Sequence, residues 1–322
     1  MKTMRAVVLE GITSAEQIAL TERPVPQARP GWVLVKVEAF GMNHSEQILR
    51  QSEIEAAYIQ KPVIPGIECV GTVADASDSD LRVGARVAAL MGGMGRSFDG
   101  SYAEYALLPA RNVFAVDSDL PWTALGAMPE TYYTAWGSLM NCLRLAPEDT
   151  LLVRGATCAL GYAAVQLAKA MGCRVVATTH RAEKLPLLNE ADEALLDEGE
   201  LAGRVKGANK ALELVGPRTL LDTLRAMPSG GVVCNTGVLG GAFALRAFQP
   251  IQQIPTGVYL TSFHSNWPTR RDMDALFAYM KAHDLAPKLG RAFDFAEIRK
   301  AVRAQDEGSV NGKIVVRVSS PA

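Results

Sequence analysis

No uninterrupted apolar run in this chain reaches the ~18 residues that a membrane-spanning helix needs. The N-terminal MKTMRAVVLEG also lacks the hydrophobic region of a secretory signal, so no membrane partner is expected. An excess of one charge is missing as well. Lys and Arg number 33 against 34 Asp and Glu, a net of −1, which leaves no basic face for nucleic acid. Cysteine is sparse: the five, at 69, 142, 158, 173 and 234, are scattered and form no C-x-x-C pair. They read as reduced, mostly buried thiols of a cytoplasmic protein. Internal repeats and low-complexity linkers are lacking too. What remains is an ordinary globular composition, 48% hydrophobic and 21% charged over 322 residues, enough for two domains of ~150 residues each.

The most legible segment runs from Thr150 to Lys184. An apolar run, Leu151 to Val153, breaks at Gly155-Ala156 and enters a stretch with apolar residues at 160, 164, 167, 168 and 171. That spacing is helical, and Gly172 stands where a helix C-terminus favours a residue free to take positive φ. A second apolar run, Cys173 to Ala177, follows. Strand, tight turn, helix and strand in this order predict a βαβ unit with a pyrophosphate site at the helix N-terminus.

The turn is a degraded dinucleotide fingerprint. The G-x-G-x-x-G template falls on Ala156, Cys158 and Gly161, so only the glycine needed for close helix–strand packing is kept. Cys158 puts a side chain where backbone is expected to approach phosphate. The phosphate turn is Thr157, Cys158, Ala159 and Leu160. At the end of the second strand an NAD site carries an acidic residue for the ribose 2′-hydroxyl. Here Thr178-Thr179-His180-Arg181 and then Lys184 supply hydroxyls and cations instead. Thr179, Arg181 and Lys184 therefore read as a 2′-phosphate site, which makes NADPH the expected cofactor. A solvated basic loop is the plain alternative.

The first ~120 residues are rich in short β-type runs, among them MRAVVLE, WVLVKVEAF, CVGTVADAS and YAEYALLPA, punctuated by Gly and Pro. Pro121 to Met140 is helix-compatible. After Arg181, candidate strands at 193–198, 210–216, 231–237 and 257–263 alternate with helical patterns, which predicts a doubly wound parallel sheet. Helices over Thr269–Ala282 and around 296–305 precede a last strand, Lys313 to Val318. The expected organisation is a β-rich domain of 1–124 plus 266–322 around a nucleotide-binding domain of 125–265.

The order of several motifs resembles the medium-chain dehydrogenase/reductase superfamily, and within it the zinc-free quinone oxidoreductase branch. They are Gly41-Met42-Asn43-His44-Ser45-Glu46, Pro65-Gly66-Ile67-Glu68, the Asp99–Tyr105 segment and Thr134-Ala135-Trp136-Gly137-Ser138. The series continues through the Gly155–Lys169 segment, Gly230-Gly231 and Asn311-Gly312-Lys313. The resemblance covers essentially the whole chain. It implies a GroES-like β-rich domain, a Rossmann domain, NADPH, and hydride transfer to a quinone or an activated alkene.

Relatives that bind catalytic zinc carry Cys, His, and Cys or Asp where this chain has Asn43, Ile67 and Glu130. One carboxylate cannot supply the three ligands zinc needs, so no metal is expected. The resemblance then assigns roles to individual residues. Asn43 matches the asparagine of a G-x-N-x-x-D motif, with Glu46 in place of the aspartate, and would donate to a substrate carbonyl; an Asx-turn is the structural alternative. Ser45 stands at a proton-relay position of related dehydrogenases. Tyr58, placed by its loop near the expected cleft rather than by resemblance, is the candidate proton donor, with water as the alternative. His44 and Asn311 align with cofactor contacts in relatives, and Thr134 with a contact to nicotinamide or ribose. Val215, Thr236 and Gly237 lie at strand ends that form the ligand crevice.

The expected activity is zinc-independent, NADPH-dependent reduction of a small electrophile, a quinone or α,β-unsaturated carbonyl. Two alternatives stay open: a catalytically weak NADPH-binding sensor or scaffold, and a zinc alcohol dehydrogenase. A homodimer is expected through the edge strand at 257–263.

Overall fold

The computed structural model describes residues 2–319. They form two units, one comprising the chain through Glu130 together with Asn266 onward, the other Thr131–Ser265. The division falls six residues beyond the expected 125, and residues 122–125 pack on strands of the first unit.

The first unit begins with an antiparallel ribbon, β1 (Thr3–Val7) and β2 (Leu20–Pro24). β2 ends on Pro24, where the Pro24-Val25-Pro26 cluster breaks the strand. β2 pairs only with β1, so this edge strand tolerates a residue with no N–H. Next come β3 (Trp32–Gly41), α1 (His44–Gln51), β4 (Glu68–Asp75), β5 (Arg86–Leu90), β6 (Tyr105–Pro109) and β7 (Val113–Ala115). A short helix, α2 (Trp122–Leu125), follows. β3 is almost wholly buried, as its near-continuous Val, Ala and Phe content requires. On the core side Phe40 stacks on Tyr102 at 4.3 Å between ring centres and meets Phe295 edge-on at 5.9 Å.

The second unit opens with most of α3 (Pro129–Trp136), which continues into a π-helical turn, Gly137–Cys142. Then come β8 (Thr150–Arg154), α4 (Ala159–Met171), β9 (Arg174–Thr179), β10 (Glu193–Leu196) and β11 (Lys210–Glu213). It ends with α5 (Leu220–Arg225), β12 (Val232–Asn235), α6 (Pro250–Gln253) and β13 (Tyr259–Ser262). All six strands are parallel, in the order β10-β9-β8-β11-β12-β13. That order places the switch point at β8 and β11, the Rossmann arrangement. α4 ends as expected, with Gly172 at φ 93°.

The chain returns to the first unit with α7 (Arg270–Ala282), β14 (Leu289–Asp294), α8 (Ile298–Asp306) and β15 (Lys313–Arg317). β15 pairs with β3, completing a seven-membered run β14-β15-β3-β4-β5-β7 with β6 also on β3. β14 has no counterpart in the sequence reading. Its residues are mostly exposed and include Gly290, so it carries no apolar alternation to betray it. Among the described residues no helix is long and apolar enough to cross a membrane.

Candidate active site

In the first unit the flanking of β3 by β4 and β15 brings three distant motifs together. β3 ends at Gly41, the chain turns into α1, and Asn43 sits just ahead of the helix. β4 opens on Glu68, and β15 opens on Lys313. Lys313 Nζ donates to Asn43 Oδ1 at 2.5 Å and to Glu68 Oε1 at 2.6 Å. Asn43 Nδ2 donates to the same Glu68 oxygen at 2.8 Å. The other Glu68 oxygen accepts the Glu130 N–H at 2.8 Å. The pair is dry: the Lys313 side chain is 3% exposed and that of Glu68 is 0% exposed. Asn43 itself is half-buried.

An amide, a carboxylate and an ammonium make a poor donor set for zinc. The Lys313 cation bridges Asn43 and Glu68, and it would repel a second cation there.

Glu46 lies beneath this group. Its carboxylate accepts from the N–H of Asn43 at 2.7 Å and of Ile67 at 3.0 Å. Burial pushes the carboxyl up to about 7, against the pull of the Ile67 N–H and the Lys313 charge. The consequence for stability follows from the sign. Below about 4.5, its ordinary value, Glu46 is protonated whether the chain is folded or not; between 4.5 and 7 only the folded form holds the proton. Stability that is full at low pH should therefore fall by roughly 3 kcal/mol across that window and level off above it. Glu46→Gln is expected to remove that slope, leaving a constant offset from the lost acceptor. Thermal melts of both proteins at pH 5 and pH 8 test this, and parallel pH dependences in the two would refute it.

Ser45 and Tyr58 belong to a second group. Ser45 Oγ accepts from Arg96 Nη2 at 2.9 Å, and Glu53 grips that guanidinium at 2.6 and 2.8 Å. The exposed Tyr58 hydroxyl donates to Glu53 at 2.8 Å. This bond raises the Tyr58 pKa and makes it a weaker acid. His44 is exposed, with Nδ1 2.8 Å from Gln47 Oε1. Asn311 lies exposed in the bend before β15.

In the second unit the phosphate turn accounts for Cys158. Its thiol is the N-cap of α4, accepting the Gly161 N–H at 3.3 Å, so the side chain turns to the helix. Burial raises the thiol pKa. The N–H groups of Thr157, Cys158 and Ala159 donate to no acceptor among the described residues. That is the arrangement expected of an anion site at a helix N-terminus. A Cβ on Gly161 would lie 2.3 Å from the Ala156 oxygen, so the retained glycine does permit close packing of helix on strand.

Thr157 Oγ1 and Thr179 Oγ1 are 3.0 Å apart, and the Arg181 N–H donates to Thr179 Oγ1 at 3.3 Å. Arg181 is exposed and Lys184 half-buried. Burial, then the neighbouring Arg181 charge, lowers the Lys184 pKa. A carboxylate does stand next to Thr179, since the Asp197 N–H donates to its carbonyl at 2.8 Å. That acid is taken by Arg154, which grips it with Nε at 2.7 Å and Nη2 at 2.9 Å. Arg154 is fully buried and also donates to Asp222 at 2.8 Å and Thr223 at 3.0 Å.

Glu213, at the end of β11, is buried as well and organises the next loop. It accepts the N–H groups of Val215 at 2.8 Å and Gly216 at 3.0 Å. Thr236 Oγ1 is 2.9 Å from Ser138 Oγ, which in turn donates to the Thr134 carbonyl at 2.8 Å. Gly237 packs where a Cβ would lie 2.1 Å from the Leu214 oxygen.

Glu68, Lys313, Arg154 and Glu213 had no assigned role in the sequence reading, although all four carry a readable signal. Each is a charge at the end of a strand with a mainly apolar interior, and where such a charge is buried, as these four are, it must find an opposite partner or hydrogen bonds.

Two family models match the chain: the alcohol dehydrogenase GroES-like domain over residues 29–118 and the zinc-binding dehydrogenase over 189–316. The quinone oxidoreductase of Rattus norvegicus is 28% identical over 254 residues, covering 74% of each chain. That of Homo sapiens is 26% identical over 335 residues, covering 98% of each. Among solved structures, that of AibC superposes with a TM-score of 0.88 at 25% identity, covering 99% of this chain and 96% of the other. With a GroES-like β-rich unit and a Rossmann unit of the expected strand order, this chain belongs to the medium-chain dehydrogenase/reductase superfamily of nicotinamide-dependent oxidoreductases.

Proposed function

We propose that the chain is a cytoplasmic, zinc-independent, NADPH-dependent reductase of quinones or α,β-unsaturated carbonyls. The observation that carries the cofactor choice is the engagement of Asp197 by Arg154. It leaves Thr179, Arg181 and Lys184 to meet a 2′-phosphate without a competing free carboxylate on that strand end. Thr157, Cys158 and Ala159 would hold the pyrophosphate by their N–H groups, with Leu160 beside them in the first turn of α4. Bound there, the cofactor supplies the hydride.

Asn43 would donate to the acceptor oxygen as negative charge grows on it, the task a metal performs in zinc-dependent relatives. Tyr58 is a weaker acid in its bond to Glu53, which favours water as the proton source. Quinones and enones suit such a site because they are already electrophilic. The quinone oxidoreductases at 26–28% identity support the same substrate class. The open outer edge of β13 supports a homodimer through that strand, and sedimentation of the purified protein at several concentrations tests it.

Fluorescence titration with NADPH and NADH in parallel, followed by NADPH oxidation against a quinone and an enone panel, tests the reading. At least a tenfold preference for NADPH, about 1.4 kcal/mol, and turnover with one panel are expected. Equal or tighter binding of NADH sinks the 2′-phosphate assignment. Tight binding without turnover would favour a sensor instead.

A further inference from the structure

We infer that Lys313 and Glu68, seated in the space left by Gly41, are positioning residues that lock the Asn43 amide in one orientation and present its remaining N–H to the substrate oxygen. This rests on the hydride-transfer reading above. The three groups form a closed triangle, with sides of 2.5, 2.6 and 2.8 Å. Lysine can only donate and an ionised carboxylate can only accept. A flipped amide would set NH2 against the ammonium and C=O against the carboxylate, so a single orientation survives. In that orientation Nδ2 spends one hydrogen on Glu68, and its second has no acceptor among the described residues.

The arrangement also tunes the donor. A cation on the amide oxygen draws electron density through the conjugated group and strengthens the free N–H, an effect enlarged in dry surroundings. The ammonium thus acts through asparagine, and the substrate class it suits is a neutral acceptor whose oxygen becomes anionic.

Gly41 is part of the device. A Cβ there would lie 2.5 Å from Lys313 Cε, 2.6 Å from Glu68 Oε1 and 2.8 Å from the Gly126 carbonyl. Two of those atoms belong to the pair itself. Gly41→Ala therefore displaces the pair while leaving every charge in the protein.

The deciding measurement is made on the wild-type protein and needs no turnover. In protein labelled with 15N-asparagine, the Asn43 side-chain amide is identified by its loss in Asn43→Ala. The expected signal is an amide pair with one proton shifted well downfield of ordinary asparagine side chains by its carboxylate bond, and Gly41→Ala should return it toward the ordinary position. An Asn43 amide pair at the ordinary asparagine side-chain shifts in the wild type, unmoved by Gly41→Ala, overturns the proposal whatever the enzyme reduces. Where turnover is found, Asn43→Ala and Lys313→Met should each lower kcat by about 100-fold, the scale of one oxyanion donor. The double variant should be no worse than either, with KM little changed. Multiplying losses would mean that Lys313 acts independently of Asn43, and would overturn it too. A locked amide in a protein that reduces nothing would retire the hydride-transfer reading and leave the positioning intact.

Discussion

Replacing Arg154 with methionine should lower the stability of the second unit by about 3–5 kcal/mol, the usual cost of leaving a buried charge without its partner. The guanidinium is fully buried and holds two carboxylates, Asp197 and Asp222, whose side chains are 7% and 8% exposed. Burial works to raise the Asp197 carboxyl, but the bond to Arg154 overrides it and holds the group below its usual value. A depressed carboxyl stabilises the fold above its ordinary titration range and loses that contribution as pH falls through the folded value. The deficit of the variant should therefore be largest near neutral pH and shrink in acid. For a unit of this size the melting temperature should drop by roughly 10 °C. Denaturant unfolding followed by circular dichroism at pH 7 and pH 3.5 measures it, and a change under ~1 kcal/mol at pH 7 would contradict the account. Loss of Arg154 also returns a free acid to the strand end beside Thr179, so NADPH binding should weaken more than NADH binding.

Gly161→Ala is expected to weaken NADPH binding by at least about 100-fold, or ~2.7 kcal/mol. The added Cβ would meet the Ala156 backbone, with oxygen at 2.3 Å and Cα at 2.5 Å, and backbone cannot swing aside as a side-chain tip can. The first turn of α4 must shift away from β8, and the N–H groups of the phosphate turn shift with it. Displacement of about 1 Å at such a site costs about two orders of magnitude. Calorimetric titration of the folded variant tests this. Wild-type affinity in the variant would show that the turn can adjust, and would remove the reason for the glycine.

Much of the second unit was legible from residues alone, because parallel strands buried on both faces are apolar runs of characteristic length. The four-residue strand β10 was still recognisable in EALLDE. The first unit was legible where its strands are buried, as in β3 and β4, and opaque where they are exposed. β14 is the example: exposed and glycine-containing, it carries no pattern that separates strand from loop. The site divided along a different line. Positions that depend on local backbone, such as Gly161 and Gly172, could be read from spacing, since helix and turn geometry is local. The partners of Asn43 could not. Glu68 and Lys313 lie 25 and 270 residues away, and only the pairing of β4 and β15 with β3 brings them to it. Cys158 looked like an obstruction because a template says where backbone belongs; it does not say that a thiol there can turn inward and cap the helix.

The placement of β15 has a consequence in time. On the ribosome β3 and β4 emerge early, and all of Thr131–Ser265 follows before the residues of β15 are joined to the chain. The second unit can close while the nascent first unit still has an open flank on β3 and a glutamate in its interior with no counterion. Lys313 is the residue that ends this state, filling the flank and neutralising Glu68 in one docking event. On the function proposed above, a translation product cut short before residue 313 would keep the Rossmann unit and lack both the Lys313–Glu68 pair and the strand that flanks β3.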